Sequence, residues 1–150
     1  MINLYHRISK ETSKNITKSY STSFSFGIKL LDSSLHDSIY SIYGFVRLAD
    51  EIVDTFHDFP KSDLLKEFKE ETYKAIDRKI SVNPVLHSFQ TVINQYSIDV
   101  SLIEKFLQSM EQDLNDIHYS NDAYRDYIIG SAEVVGLMCL KVFVNGNQKL

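Results

Sequence analysis

The chain has 150 residues, 43% apolar and 24% charged, an ordinary globular mixture that excludes extended disorder. Its net charge of -4 offers no basic face for a phosphate backbone, which excludes nucleic acid as an expected partner. The one cysteine, Cys139, leaves no intrachain disulfide to form and points to a reducing cytoplasm.

Met1 to Lys10 is polar and charged, so no secretory signal is read there. The longest apolar run, Val134 to Leu140, is far short of the roughly 20 residues that span a bilayer. Hydrophobic spacing is helical nearly throughout, with no strand-like alternation, and only two prolines and five glycines interrupt it. The expected class is all-α. A polar helix is expected over Asn3 to Ser19, followed by an irregular Ser/Phe-rich stretch from Tyr20 to Leu30. Ser33 or Ser34 offers an N-cap, with Asp37 in the first turn, for a long helix to about Phe56. Ser62 offers a cap for a charged helix to about Lys79, and Asn83-Pro84 opens another. Ser101 and Glu104 have capping-box spacing for a helix through about Asp116. A last helix is expected from about Asn121 to Val144, apolar almost all the way round. Such a helix needs neighbours on several sides, so the chain is read as a truncated single domain over 1–150, with self-association through this helix expected.

The long second helix carries the chemistry. With Tyr43 at zero and 100 degrees per residue, Asp50, Asp54 and Arg47 fall at about -20, +20 and +40 degrees, with Tyr40 near 60 and Glu51 near 80. The rest of the circumference is mostly apolar. Asp50 and Asp54 sit one turn apart, about 6 Å along the axis, where two anions repel unless a cation lies between them. An all-oxygen ligand set without His or Cys suits Mg2+, which takes one or two carboxylates plus substrate phosphate. Arg47 offers a fork of donors to a phosphate oxygen. The same spacing also suits a plain ion-pair ladder of Arg47 with Asp50 and Glu51 on an exposed helix.

The string from Tyr43 to Asp54, YGFVRLADEIVD, is similar to the first aspartate-rich motif of squalene and phytoene synthases. Upstream, Ser21-Thr22-Ser23-Phe24-Ser25-Phe26 resembles the family's Ser-Phe segment over the substrate diphosphate. Downstream, Ser109 to Leu114 resembles its Met-x-x-Asp-Leu helix, and Tyr127 to Met138 its Tyr…Val-Gly-Leu-Met stretch. Tyr20 stands where many members have histidine, and Glu133 where glycine is frequent.

The resemblance implies the N-terminal half of an isoprenoid-synthase-type helical bundle. It implies an enzyme that joins two prenyl diphosphates head to head through a cyclopropyl intermediate, in carotenoid or related isoprenoid biosynthesis. Asp50 and Asp54 would hold Mg2+. Arg47 and Tyr43 would be catalytic, and Ser21, Ser23, Phe24, Arg47, Val135 and Gly136 would meet substrate. Phe24, Phe26, Val134, Val135 and Met138 are candidate cavity walls, each also suited to ordinary core. Asp113 is a further candidate at the polar end, and Glu133 is expected either to pair with Lys141 or to touch the cavity. Gly130 and Gly136 are expected at close helix contacts or beside a prenyl chain. The family's second aspartate-rich helix has no counterpart before Leu150, so these residues alone are expected to be inactive. Peripheral membrane association for product release is a further expectation, and a non-catalytic scaffold of the same family is the alternative.

Overall fold

A computed structural model describes residues 1–115 and 129–146. Among the described residues seven α-helices follow one another: α1 (Ile2–Tyr20), α2 (Thr22–Lys29), α3 (Ser33–Thr55), α4 (Lys61–Arg78), α5 (Pro84–Gln95), α6 (Val100–Leu114) and α7 (Val134–Gly146). A π-helical turn, Ile129–Glu133, leads into α7. Among the described residues there is no strand, and no helix is long and apolar enough to cross a membrane. The all-α expectation holds.

The stretch expected to be irregular is instead a helix. Ser21 is extended (φ -144°, ψ 100°) and breaks the chain between α1 and α2. Its N–H donates to the Thr17 carbonyl at 2.9 Å, and its hydroxyl accepts from the Phe24 N–H at 3.1 Å. One residue therefore ends one helix and caps the next. Two other caps differ from expectation because an aspartate lies just upstream of the serine. Asp32 caps α3 through the Ser34 N–H at 2.9 Å, and Asp99 caps α6 through the Ser101 N–H at 2.9 Å. A carboxylate is the better acceptor for an orphan helix N–H and complements the positive helix end. Helix α4 starts at Lys61 after Pro60 without a side-chain cap, so Ser62 does not serve. Asn83 caps α5 as expected, accepting from Val85 and Leu86, with Pro84 in the first turn. Of the expected last helix, the part before residue 129 lies outside the described residues.

Helix α3 is the centre of the bundle, packed on α1, α4, α5, α6 and α7. Phe45, fully buried, is its hub: its ring stacks on Phe89 at 3.9 Å and lies 5.4 Å from Phe68 and 5.5 Å from Phe106. One residue earlier, Gly44 lets α1 come close. A Cβ there would lie 2.9 Å from the Ser13 hydroxyl and 3.2 Å from the Ser13 Cα. The facing ridge of α1 is correspondingly small, with Ser9, Ser13 and Thr17 fully buried. The Ser13 and Ser88 hydroxyls meet at 2.6 Å and satisfy each other between α1 and α5. This packing leaves the polar stripe of α3 facing α2 and the end of α6, where the candidate site lies.

Candidate functional site

Arg47 organises the polar stripe. One guanidinium nitrogen is bonded to Glu51 and another lies 3.9 Å from Asp50, while the ring of Tyr20 covers the group at 4.7 Å. The Tyr20 hydroxyl in turn donates to Glu51. That bond, with the negative charge of Glu51, raises the phenol above its ordinary range despite the opposing pull of Arg47. Burial, the largest single influence, works against the charge of both Arg47 and Glu51, yet their mutual hydrogen bond together with the other hydrogen bonds and charges around them outweighs it, so the arginine is held up and the carboxyl down. The Arg47 Nε is buried and has no hydrogen-bond partner among the described residues. Here the ion-pair ladder of the simpler reading does exist, but it does not exhaust the arginine's donors.

Asp50 behaves differently. Burial pushes its carboxyl up to about 6, Arg47 opposes, and Asp54, Asp113 and Glu51 push further in the same direction as burial. Its side chain is 31% exposed. The charge of Asp113 thus acts on Asp50 from α6. Asp54, one turn along α3, is exposed. Four carboxylates against one guanidinium leave the stripe over-negative, and every donor is a hard oxygen. This fits a small divalent cation. Among the described residues, no group of three or more His, Cys, Asp or Glu side chains is placed to hold a metal ion, so the stripe offers such a cation two carboxylates at most.

Beside the stripe lies a cavity of about 510 Å³ with almost wholly apolar walls. Helix α2 supplies Ser23, Phe24, Gly27 and Ile28, and α7 with its leading turn supplies Ala132, Val135, Gly136, Cys139 and Phe143. Leu31 and Ile39 close it toward α3. Phe24 belongs both to this wall and to the stripe, because its ring stacks on Tyr43 at 4.7 Å. The polar and apolar halves therefore meet across one ring pair. A Cβ added at Gly27 or Gly136 would meet nothing within 4 Å, so both glycines open space into the hollow. Burial raises the Cys139 thiol to about 11, which keeps it a neutral, unreactive wall atom.

Four residues expected at the substrate, Ser23, Phe24, Val135 and Gly136, therefore come together from segments more than a hundred positions apart. Ser21 has its hydroxyl engaged in capping α2. Three candidate walls lie elsewhere. Phe26 is 64% exposed on the opposite face of α2, because α2 is helical and two residues after Phe24 is the far side. Val134 and Met138 are buried in the core instead. Glu133 and Lys141 are both exposed and form no ion pair with each other. Gly27, Ile28 and Leu31 escape a sequence reading that takes 20–30 as irregular; their i, i+1, i+4 spacing after Phe24 is the signal that a helical reading would have used.

Residues 17–149 match the family model described as squalene/phytoene synthase. Two solved structures are similar in fold. One is a dehydrosqualene synthase in complex with ligand, with TM-score 0.79 and 21% identity, covering 91% of this chain and 48% of that one. The other is the squalene synthase HpnC from Alicyclobacillus acidocaldarius, with TM-score 0.82 and 21% identity, covering 93% of this chain and 53% of that one. The chain thus spans about half the length of these relatives. Comparison with curated proteins found no match.

Proposed function

Since the chain belongs to the squalene/phytoene synthase family, we propose that it builds the first half-site of an enzyme that condenses two prenyl diphosphates head to head. The observation that carries this is the junction of the apolar cavity with the arginine–carboxylate stripe across the Phe24–Tyr43 stack. A ligand with an apolar tail and an anionic head needs both halves at that spacing. The cavity lies within the usual size range of small-molecule sites.

In this reading Arg47 turns its free Nε and fork of donors to the diphosphate, and Ser23 at the cavity edge adds a hydroxyl. Charge grows on the diphosphate oxygens as the allylic C–O bond breaks, and donors already aimed at it stabilise that charge without reorganising. Asp50 and Asp54 would hold Mg2+, which supplies further neutralisation of the leaving group when bound. The apolar walls from α2 and α7 exclude water from the carbocation; the double bond of the second prenyl chain attacks it, and the tertiary cation so formed closes to the cyclopropyl intermediate with loss of a proton to the released diphosphate. In this reading the Tyr43 ring flanks the forming cation, and its stacking on Phe24 supports that role. We read the 150 residues as one helical domain of this site and carotenoid-type isoprenoid biosynthesis as its setting. A cytoplasmic location, where the Cys139 thiol stays reduced, belongs to the same proposal.

The test is calorimetric titration with farnesyl thiodiphosphate, a substrate analogue whose C–S bond resists ionisation, with and without Mg2+. Binding is expected to require Mg2+ and to fall at least tenfold in Arg47→Ala, the scale of one lost charge-assisted hydrogen bond. Gly136→Leu is expected to weaken the thiodiphosphate and leave inorganic pyrophosphate unaffected, because the added side chain occupies only the tail cavity. Binding indifferent to Mg2+ and to both substitutions would instead favour a non-catalytic scaffold.

A further inference from the structure

The small-residue ridge that packs α1 against α3 ends on the arginine. Ser9, Ser13 and Thr17 are fully buried along that ridge. Tyr20, about two turns on from Ser13, continues the same face of α1. On α3, Gly44 takes the Ser13 contact, and Arg47 follows one turn later. The close approach at Gly44 thus sets α1 near enough for the Tyr20 ring centre to lie 4.7 Å from the Arg47 Cζ. The backbone beside Tyr20 is held as well. The Ser21 N–H donates to the Thr17 carbonyl at 2.9 Å, and the Ser21 hydroxyl caps α2. Tyr20 therefore stands at a fixed corner of the chain, with its ring laid on the guanidinium.

We propose that Tyr20 is a positioning residue, which fixes Arg47 for the diphosphate group and acts through the arginine, not on the anion. The N–H donors of a guanidinium lie in its plane, so a ring stacked on its face restrains the group without consuming a donor. The donors of Arg47 are left largely unspent. Nη2 is bonded to Glu51, Nη1 lies 3.9 Å from Asp50, beyond hydrogen-bond length, and Nε has no partner among the described residues. The Tyr20 hydroxyl is already given to Glu51, so it is not aimed at a ligand. Without the ring, the long arginine stem is free to turn toward the carboxylates of Asp50 and Glu51, and an arriving anion has to order it again. This inference rests on the proposed diphosphate function of the site and adds the residue that prepares the arginine for it.

The experiment pairs NMR of the arginine Nε–H groups with calorimetric titration of inorganic pyrophosphate in the presence of Mg2+. Without ligand, the ring current of Tyr20 is expected to shift the Arg47 Nε–H resonance upfield. Tyr20→Phe, which keeps the ring, should retain that shift, and Tyr20→Leu should abolish it. Tyr20 is 51% exposed, so circular dichroism is expected to show unchanged helix content in both variants. Tyr20→Leu should weaken pyrophosphate about three- to tenfold, the scale of ordering one long side chain on binding. Tyr20→Phe should stay within about twofold of the unsubstituted chain, because the stack on the guanidinium survives. In an Arg47→Ala background, Tyr20→Leu should cause no further loss, since the residue through which it acts is gone. An Nε–H resonance unmoved by Tyr20→Leu would overturn the proposal, as would further loss in the Arg47→Ala background. Tighter binding in Tyr20→Leu would overturn it too, by making the ring a cover that the anion must displace. Binding that Arg47→Ala weakens and Tyr20→Leu does not would remove this inference alone. Pyrophosphate binding absent from the unsubstituted chain, or indifferent to Arg47→Ala, would remove the diphosphate reading and this inference with it.

Discussion

Asp50→Asn is expected to stabilise the protein while removing its response to ligand. The carboxyl of Asp50 is raised from 3.8 to about 6, chiefly by burial. A rise of that size corresponds to about 3 kcal/mol of ionisation cost. Its side chain is 31% exposed, and solvent screening brings the cost to about 1–2 kcal/mol. Because the folded value lies above the unfolded one, the contribution to stability is complete below about pH 4 and lost as pH rises through about 6. At about pH 7.5 the native protein carries the whole penalty, and asparagine, which cannot ionise, removes it. Thermal unfolding should therefore show a gain of about 2–8 °C at about pH 7.5, from the usual 2–4 °C per kcal/mol for this size. At about pH 4 the gain should vanish, since Asp50 is then neutral in both states. With Mg2+ and inorganic pyrophosphate added, the unsubstituted chain should be stabilised and the variant should not. Loss of stability in Asp50→Asn at the higher pH, or a gain that persists at the lower one, would refute the idea that this carboxylate is held charged at a cost.

Three other outcomes test the scaffold around the site. Gly44→Ala should cost about 1–2 kcal/mol in urea unfolding, because the new methyl meets the Ser13 backbone and α1 must move; an unchanged midpoint would deny the close contact. Phe45→Ala should cost about 3–5 kcal/mol, since it removes a fully buried ring from its stack with Phe68, Phe89 and Phe106. His87 carries a pH dependence of opposite sign to that of Asp50. It is buried and accepts the Ser81 N–H at Nδ1, so its own proton sits on Nε2, directed at His6 Nδ1 2.8 Å away. Burial and His6 hold it below its ordinary range. Its stabilising effect is therefore present above about pH 6.5 and lost as pH falls below that, and His87→Asn should flatten the acid side of the stability curve. An unaltered acid limb would show that protonation of His87 does not limit stability in acid.

Much of this protein is written in local pattern. The all-helical class follows from apolar spacing alone, and the α3 stripe follows from counting 100 degrees per residue from Tyr43. The Asn83-Pro84 start of α5 was legible because both the cap and the proline act within one turn. The misplaced caps at Asp32 and Asp99 show the limit of that approach. Several residues near a helix start can accept the same N–H, and position alone does not rank them. The Tyr20–Leu30 stretch shows it more plainly, since eight residues of α2 have weak helical character until a single extended serine caps them and the cavity gives Phe24 and Ile28 something to pack against.

The amino-acid order by itself determined which side chains share a helix face, because spacing on one helix depends only on backbone geometry. It determined that Arg47, Asp50 and Asp54 form one stripe. Only the tertiary structure decided what that stripe meets: Tyr20 over Arg47, Asp113 across from Asp50, and an apolar hollow reached through Phe24. It also decided that Phe26 faces outward while Val135 and Gly136 face the cavity. The physical reason is that burial and contact between helices arise from long-range packing, which no periodicity within a single helix specifies.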